Sequence, residues 1–205
     1  MQLFITEFSP YVRMTRILLR EKGLQASVEE VVALTRKKNS PYYEINPSGR
    51  VPYLRGSNGL EVQGSRLILE YLDQLDNKPI LESSDHDNYW EYARLEASAL
   101  IVMDGVSVWS RELKRAGNDR SQAVIDHEKT RAARMLGKWE TEIDNNMMRG
   151  ALNYPQLTLA CALCMDQWNP FFEWRNEHPK LAAWLKPWET RPSFSDTEPP
   201  SKLSL

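Results

Sequence analysis

Cysteine is scarce in this chain. Two occur among 205 residues, Cys161 and Cys164, too few for a disulfide framework, so a reducing cytoplasm is the expected compartment. Histidine is nearly as rare, and His86, His127 and His178 are scattered, with no spacing of a metal site or a catalytic triad. No uninterrupted apolar run approaches the ~20 residues of a membrane span. The opening MQLFITEF has no basic region followed by an apolar stretch, so no signal peptide is expected. Neither sign of charge is in excess: 26 basic residues stand against 28 acidic ones, which points away from nucleic-acid and polybasic membrane partners. Internal repeats and low-complexity segments are absent.

What is present changes character near the middle. To about Leu75 the chain alternates strand-like and helix-like segments. Leu3 to Ile5 is a short apolar run. Pro10 to Lys22 has helical periodicity, with Val12, Met14, Ile17 and Leu18 on one face, Arg13, Arg16 and Arg20 on the other, and Gly23 as a stop. Val28 to Val32 reads as a second strand. Pro52 to Arg55 and Leu60 to Val62 read as a hairpin around Ser57-Asn58-Gly59. Ser65 to Leu75 is a helix with Leu67, Ile68, Tyr71, Leu72 and Leu75 facing one way. Beyond the polar stretch DNKPILESSDHDN only helical periodicity remains: Tyr89 to Leu113, Ser121 to Ile143, an almost wholly apolar Leu157 to Trp168, and Leu181 to Trp188. The tail from Glu189, with Pro192, Pro199 and Pro200, reads as irregular. Five of the seven tryptophans fall from Trp139 onward, which suggests an aromatic-rich core or cavity there. The expected division is a domain over 1–76, a linker over 77–88 and a helical domain over 89–205.

The order β-α-β-α-β-β-α is that of a thioredoxin-like domain, so the expected fold is an α+β thioredoxin-like N-terminal domain followed by an all-α C-terminal domain. Within it, NPSGRVPYL (Asn46 to Leu54) places Val51-Pro52 at a strand start, where a proline interrupts no central ladder bond. A cis bond there would turn the Val51 N–H and C=O outward to pair with an extended peptide ligand; the alternative is an ordinary trans proline. Ser9 and Pro10 stand where a helix N-cap and first helical residue belong. Cys161-Ala-Leu-Cys164 lies inside an apolar helix with no second pair to complete a zinc site, so core packing is expected, with Thr158 as that helix's cap.

Taken in order, SPYVR, NPSGRVPYL, GSRLILEYLD, the helical second half with LTLACAL, and HPKLAAWLKPWETRPSFSDTEP resemble the cytosolic glutathione S-transferases of bacterial type over nearly the full length. The resemblance implies the glutathione transferase fold, glutathione as co-substrate, no metal, and a two-fold dimer. Compared with the related Cys-Pro-Tyr-Cys redox proteins, Ser9 and Val12 replace both cysteines, so dithiol exchange has no nucleophile. Ser9 is then a candidate catalytic residue: at a helix N-terminus its hydroxyl would donate to the glutathione thiolate and lower the thiol's pKa. The other reading, that it only caps the helix, stays open.

For glutathione binding the resemblance nominates Val51, Pro52 and Ser65, the last at a helix start suited to the γ-glutamyl carboxylate. The family's acidic residue before that serine, which takes the ligand's ammonium group, is replaced by Gly64. Gln63, or an acidic residue of a partner subunit such as Asp104, would serve instead; otherwise glutathione affinity falls. Arg50 and Lys37 are the cations nearest the glycyl carboxylate by sequence context. Tyr11, Met103, Val106 and Trp109 are nominated for a hydrophobic electrophile pocket, against core or interface packing. The alternative function is a non-catalytic binding protein on the same fold, of the stringent starvation protein type. Asp three residues after Thr158, usual in the family, is replaced by Cys161, which cannot close a capping box.

Overall fold

A computed structural model describes residues 1–82 and 87–199; residues 83–86 of the expected linker, His86 among them, and Pro200 lie outside the described residues. Two compact units are present: Met1–Ile80 together with the segment from Pro192, and Leu81–Arg191. The second boundary departs from the expected one, because the proline-containing end belongs with the first unit and not with the helices that precede it.

The first unit is built on β1 (Gln2–Ile5), α1 (Pro10–Glu21), β2 (Glu29–Val32), α2 (Tyr42–Ile45), β3 (Tyr53–Arg55), β4 (Glu61–Gln63) and α3 (Ser65–Gln74). The sheet order is β2-β1-β3-β4, with β1 parallel to β2 and antiparallel to β3. β1 is central, which explains why Leu3, Phe4 and Ile5 are all buried and read as a continuous apolar run. Phe4 packs against Tyr42 and Tyr53, with ring centroids 5.5 and 5.8 Å apart.

α1 buries Val12, Met14, Ile17, Leu18 and Leu19, while Arg16 and Arg20 reach Glu30 of β2. It stops in a Schellman motif. Gly23 takes φ 65°, its N–H bonds Arg20 O at 3.0 Å, and the Leu24 N–H bonds Leu19 O at 2.8 Å. Against α1 lies α3, through Ile68, Leu69 and Leu72. Leu67, expected on that buried face, is instead exposed. The ends of α1 and α3 are tied by Lys22, whose buried ammonium donates to Asp73 O (2.7 Å) and Lys78 O (2.6 Å) and pairs with the Asp76 carboxylate at 2.8 Å.

The second unit contains α4 (Tyr89–Leu113), α5 (Gln122–Glu142), α6 (Tyr154–Leu163) and α7 (Pro179–Glu189). Every residue of α6 is buried, and it packs on α4, as does α5. It starts three residues earlier than the apolar run suggests. Asn153 is the cap, its Oδ1 accepting from Gln156 N at 2.9 Å, and Thr158 sits buried in mid-helix. Cys161 and Cys164 are fully buried in this packing. Trp139 and Trp174 are among the largest buried side chains. After α7 the chain rejoins the first unit as α8 (Pro192–Ser195), which packs on α1 where an irregular tail is expected.

Candidate functional site

Strand register decides which loops meet. Val31, Phe4, Tyr53 and Gln63 pair in one row across the sheet. Beyond that row lie the loop carrying Lys37 after β2, the loop to Ser9 after β1, Val51-Pro52 before β3, and Gly64-Ser65 after β4. The glutathione-site candidates that sequence reading drew from four segments therefore emerge at one end of one sheet. The N-termini of α1 and α3 start there too.

Ser9 is half-buried, with extended backbone (φ −86°, ψ 116°), and its Oγ accepts from Val12 N at 3.3 Å. The cap reading and the thiol reading are compatible. Accepting that bond uses a lone pair and leaves the hydroxyl proton to be donated. Tyr11, two residues on, is half-buried.

The Val51-Pro52 peptide bond is cis. Neither the N–H nor the C=O of Val51 makes a hydrogen bond within the protein among the described residues. The loop that presents them is built from inside. Asn46, 1% exposed, donates to Arg50 O at 2.9 Å, and its Oδ1 accepts from Ser48 N at 3.1 Å. The Tyr42 hydroxyl donates to the same Arg50 carbonyl at 2.6 Å. Burial pushes the Tyr42 pKa up, against a lowering bond from Asn46, so this donor stays protonated. Gly49 turns the loop at φ 64°, close under the Tyr43 ring. Sequence reading named neither Tyr42 nor Asn46; the Asn-Pro-Ser-Gly turn chemistry was the available signal for Asn46. The side chains of Arg50 and Lys37 are exposed.

Gly64 precedes α3 with φ 92° and ψ 118°, a conformation that L side chains rarely adopt, and space is open where a Cβ would stand. Having no side chain, it gives α3 no side-chain cap, and the helix's first turn contains no acidic residue. Ser65, half-buried, is its first residue. Uncapped N–H groups with a serine hydroxyl beside them make a seat for a carboxylate. Of the nearby charges, Gln63 is neutral and exposed, and Glu61 is engaged by Arg55 at 3.1 Å.

The electrophile candidates divide. Met103, Val106 and Trp109 are closed from solvent, at 0%, 0% and 2% exposure. Trp109 meets Phe172 edge-on at 6.2 Å. They are buried residues of the helical unit, which favours the packing alternative that the sequence left open. Asp104 lies exposed on α4. Among the described residues no cluster of three or more His, Cys, Asp or Glu could hold a metal ion, and no helix is long and apolar enough to cross a membrane.

Comparison with known proteins adds to this geometry. Residues 3–80 match the glutathione S-transferase N-terminal domain. A crystal structure of a glutathione transferase family member from Pseudomonas fluorescens Pf-5, with bound glutathione, is 32% identical; the match covers 98% of this chain and 99% of that one, with a TM-score of 0.85. The chain belongs to the glutathione transferase family. A second transferase structure with glutathione bound, from Methylobacillus flagellatus, is 26% identical with a TM-score of 0.84, covering 97% of this chain and 98% of its own. The GST-like protein YibF of Escherichia coli is 27% identical across 98% of this chain and 99% of its own length. The thioredoxin-like unit and the helical unit described above are thus those of the glutathione transferase fold.

Proposed function

We propose that this glutathione transferase family member binds glutathione across the end of its sheet and activates the thiol for attack on a hydrophobic electrophile. The observation that carries the reading is the row of loops at that end, which offers four kinds of contact to an extended thiol peptide. An uncapped helix start at Ser65 would take the γ-glutamyl carboxylate. The unpaired N–H and C=O of Val51 would pair with the cysteinyl backbone as an added strand does. Ser9, at the start of α1, would donate to the sulfur while the helix's partial positive charge favours the thiolate. Arg50, exposed beside Val51, and Lys37, exposed in the loop after β2 at the other edge of the sheet from β4, would meet the glycyl carboxylate.

In the reaction, the thiol loses its proton and its sulfur forms a bond to an electrophilic carbon, from which a leaving group departs with the electron pair. The protein contributes proximity and thiolate stabilisation. Two relatives solved with glutathione bound support the ligand. A cytoplasmic homodimer acting in detoxification is the setting we infer from the family.

Gly64 is the one observation that favours the second reading, a glutathione transferase-like binding protein without catalysis, because it removes an acidic partner for the ligand's ammonium group. Calorimetric titration with glutathione, followed by conjugation of chloro-dinitrobenzene, separates the two. Binding with conjugation supports the enzyme; binding without conjugation supports the binder; no heat of binding at millimolar glutathione overturns the site.

A further inference from the structure

One charge near the start of α1 is placed unlike the others. Arg13 lies one helical turn beyond Ser9, its N–H bonding the Ser9 carbonyl at 2.9 Å, so the two share a face of α1. It is 2% exposed. Its guanidinium is held by the far end of the chain. Nη2 donates to Phe194 O at 3.1 Å, Nε reaches Thr197 Oγ1 at 3.5 Å, and the Phe194 ring lies 5.3 Å from the guanidinium carbon. The segment is itself fastened: Thr197 Oγ1 donates to Ser193 O at 2.7 Å, and the Ser193 hydroxyl donates to Glu21 of α1. Phe194 and Thr197, at 1% exposure each, are as buried as core residues.

We propose that the segment Pro192 to Pro199 is a working part of the thiol site, because it holds Arg13 as a fixed, desolvated positive charge beneath the helix start where the thiolate forms. A guanidinium carries a positive charge and no acceptor. Buried, it is not screened as a surface cation would be, and it reinforces the positive end of α1. Arg16 and Arg20 are paired with Glu30 of β2, Lys22 is paired with Asp73 and Asp76 at the far end of α3, and Glu7, Asp196 and Glu198 are exposed. The Arg13 guanidinium bonds Phe194 O and Thr197 Oγ1, which are not among the expected ligand contacts, so its role is that of a positioning residue acting through α1. The inference rests on glutathione binding at Ser9 as proposed above.

The test is the ultraviolet absorbance of bound glutathione thiolate against pH, in the full-length protein. Calorimetry first establishes binding. Arg13→Gln should raise the bound thiol's pKa by about one unit, leaving roughly tenfold less thiolate at any pH below both values. Arg13→Lys, which keeps the charge, should return most of the shift. Thr197→Val, which loosens the anchor but leaves Arg13 intact, should move the curve the same way by less, and it serves if Arg13→Gln does not fold. If the wild type binds no glutathione, the functional reading falls and this inference with it. If binding survives in folded variants and their titration curves superimpose on the wild type, the segment is purely structural and only this inference falls.

Discussion

A hydroxyl that caps a helix still has a proton to give, and Ser9 shows why the two roles should be separated by pH instead of by structure. Ser9→Ala should cost about 1 kcal/mol of stability through the lost cap, checked by denaturant unfolding. If the hydroxyl also donates to sulfur, conjugation should slow at neutral pH and recover as hydroxide makes the thiolate unaided. An unchanged pH–rate profile leaves the helix start itself as the activating group. Gly64 carries the opposite lesson. From sequence it is a missing acid; in the structure it is also a backbone at φ 92°. Gly64→Glu should tighten glutathione binding in calorimetry by restoring a partner for the ammonium group, yet lower folding stability by about 1–2 kcal/mol for the left-handed strain. Unchanged affinity would mean that another group already serves. Ser9 was legible as a cap because cap residues announce themselves locally, whereas Val51 and Ser65 were nominated by the family resemblance. Arg13 was not legible, since a charged side chain on a helix reads as surface until the segment that covers it is known.

At the scale of elements, strand and helix periodicity located nearly every segment, and the errors sit at ends and faces. α6 was read from Leu157 because Tyr154-Pro155-Gln156 breaks the apolar run, although Asn153 followed by Pro at the second helical position is itself a start signal. Asn153→Ala should therefore cost about 1 kcal/mol or somewhat more in denaturant unfolding, since its Nδ2 also donates to Met147 O at 2.7 Å. α4 and α5 are joined at one end by Arg94, which pairs with Glu91 at 2.8 Å and Glu142 at 3.0 Å. Hydrogen bonds from Arg94 hold the Glu91 carboxyl below its usual value of 4.5, against a smaller cost of burial. The folded state thus favours the ionised form. Its contribution is present above the unfolded-state carboxylate pKa and fades as pH falls through the lowered folded value. The difference in Tm between wild type and Glu91→Gln should accordingly be clear near pH 7 and shrink as the pH is lowered below the ordinary carboxylate range. A difference independent of pH would remove the ion pair from the account.

On the scale of the whole molecule, the thioredoxin-like and helical halves were legible in the switch from mixed to purely helical periodicity. The assignment of the last segment was not: a helix of four residues carries no periodic signal for the surface it will cover. That segment gives the chain a particular order of manufacture. The first unit leaves the ribosome early, but α8 follows only after more than a hundred further residues, a delay of several seconds or longer at roughly 5–20 residues per second. Through that interval Arg13 lacks its bonds to Phe194 O and Thr197, and a buried guanidinium that loses hydrogen bonds is costly. The half of the protein that is made first is finished last. A fragment ending at Ile80 should accordingly bind chaperones or protease more readily than the same residues in the full chain, and adding a peptide of residues 192–199 should protect it from limited proteolysis. Equal protection with and without the peptide would show that the sheet and its two long helices close on their own.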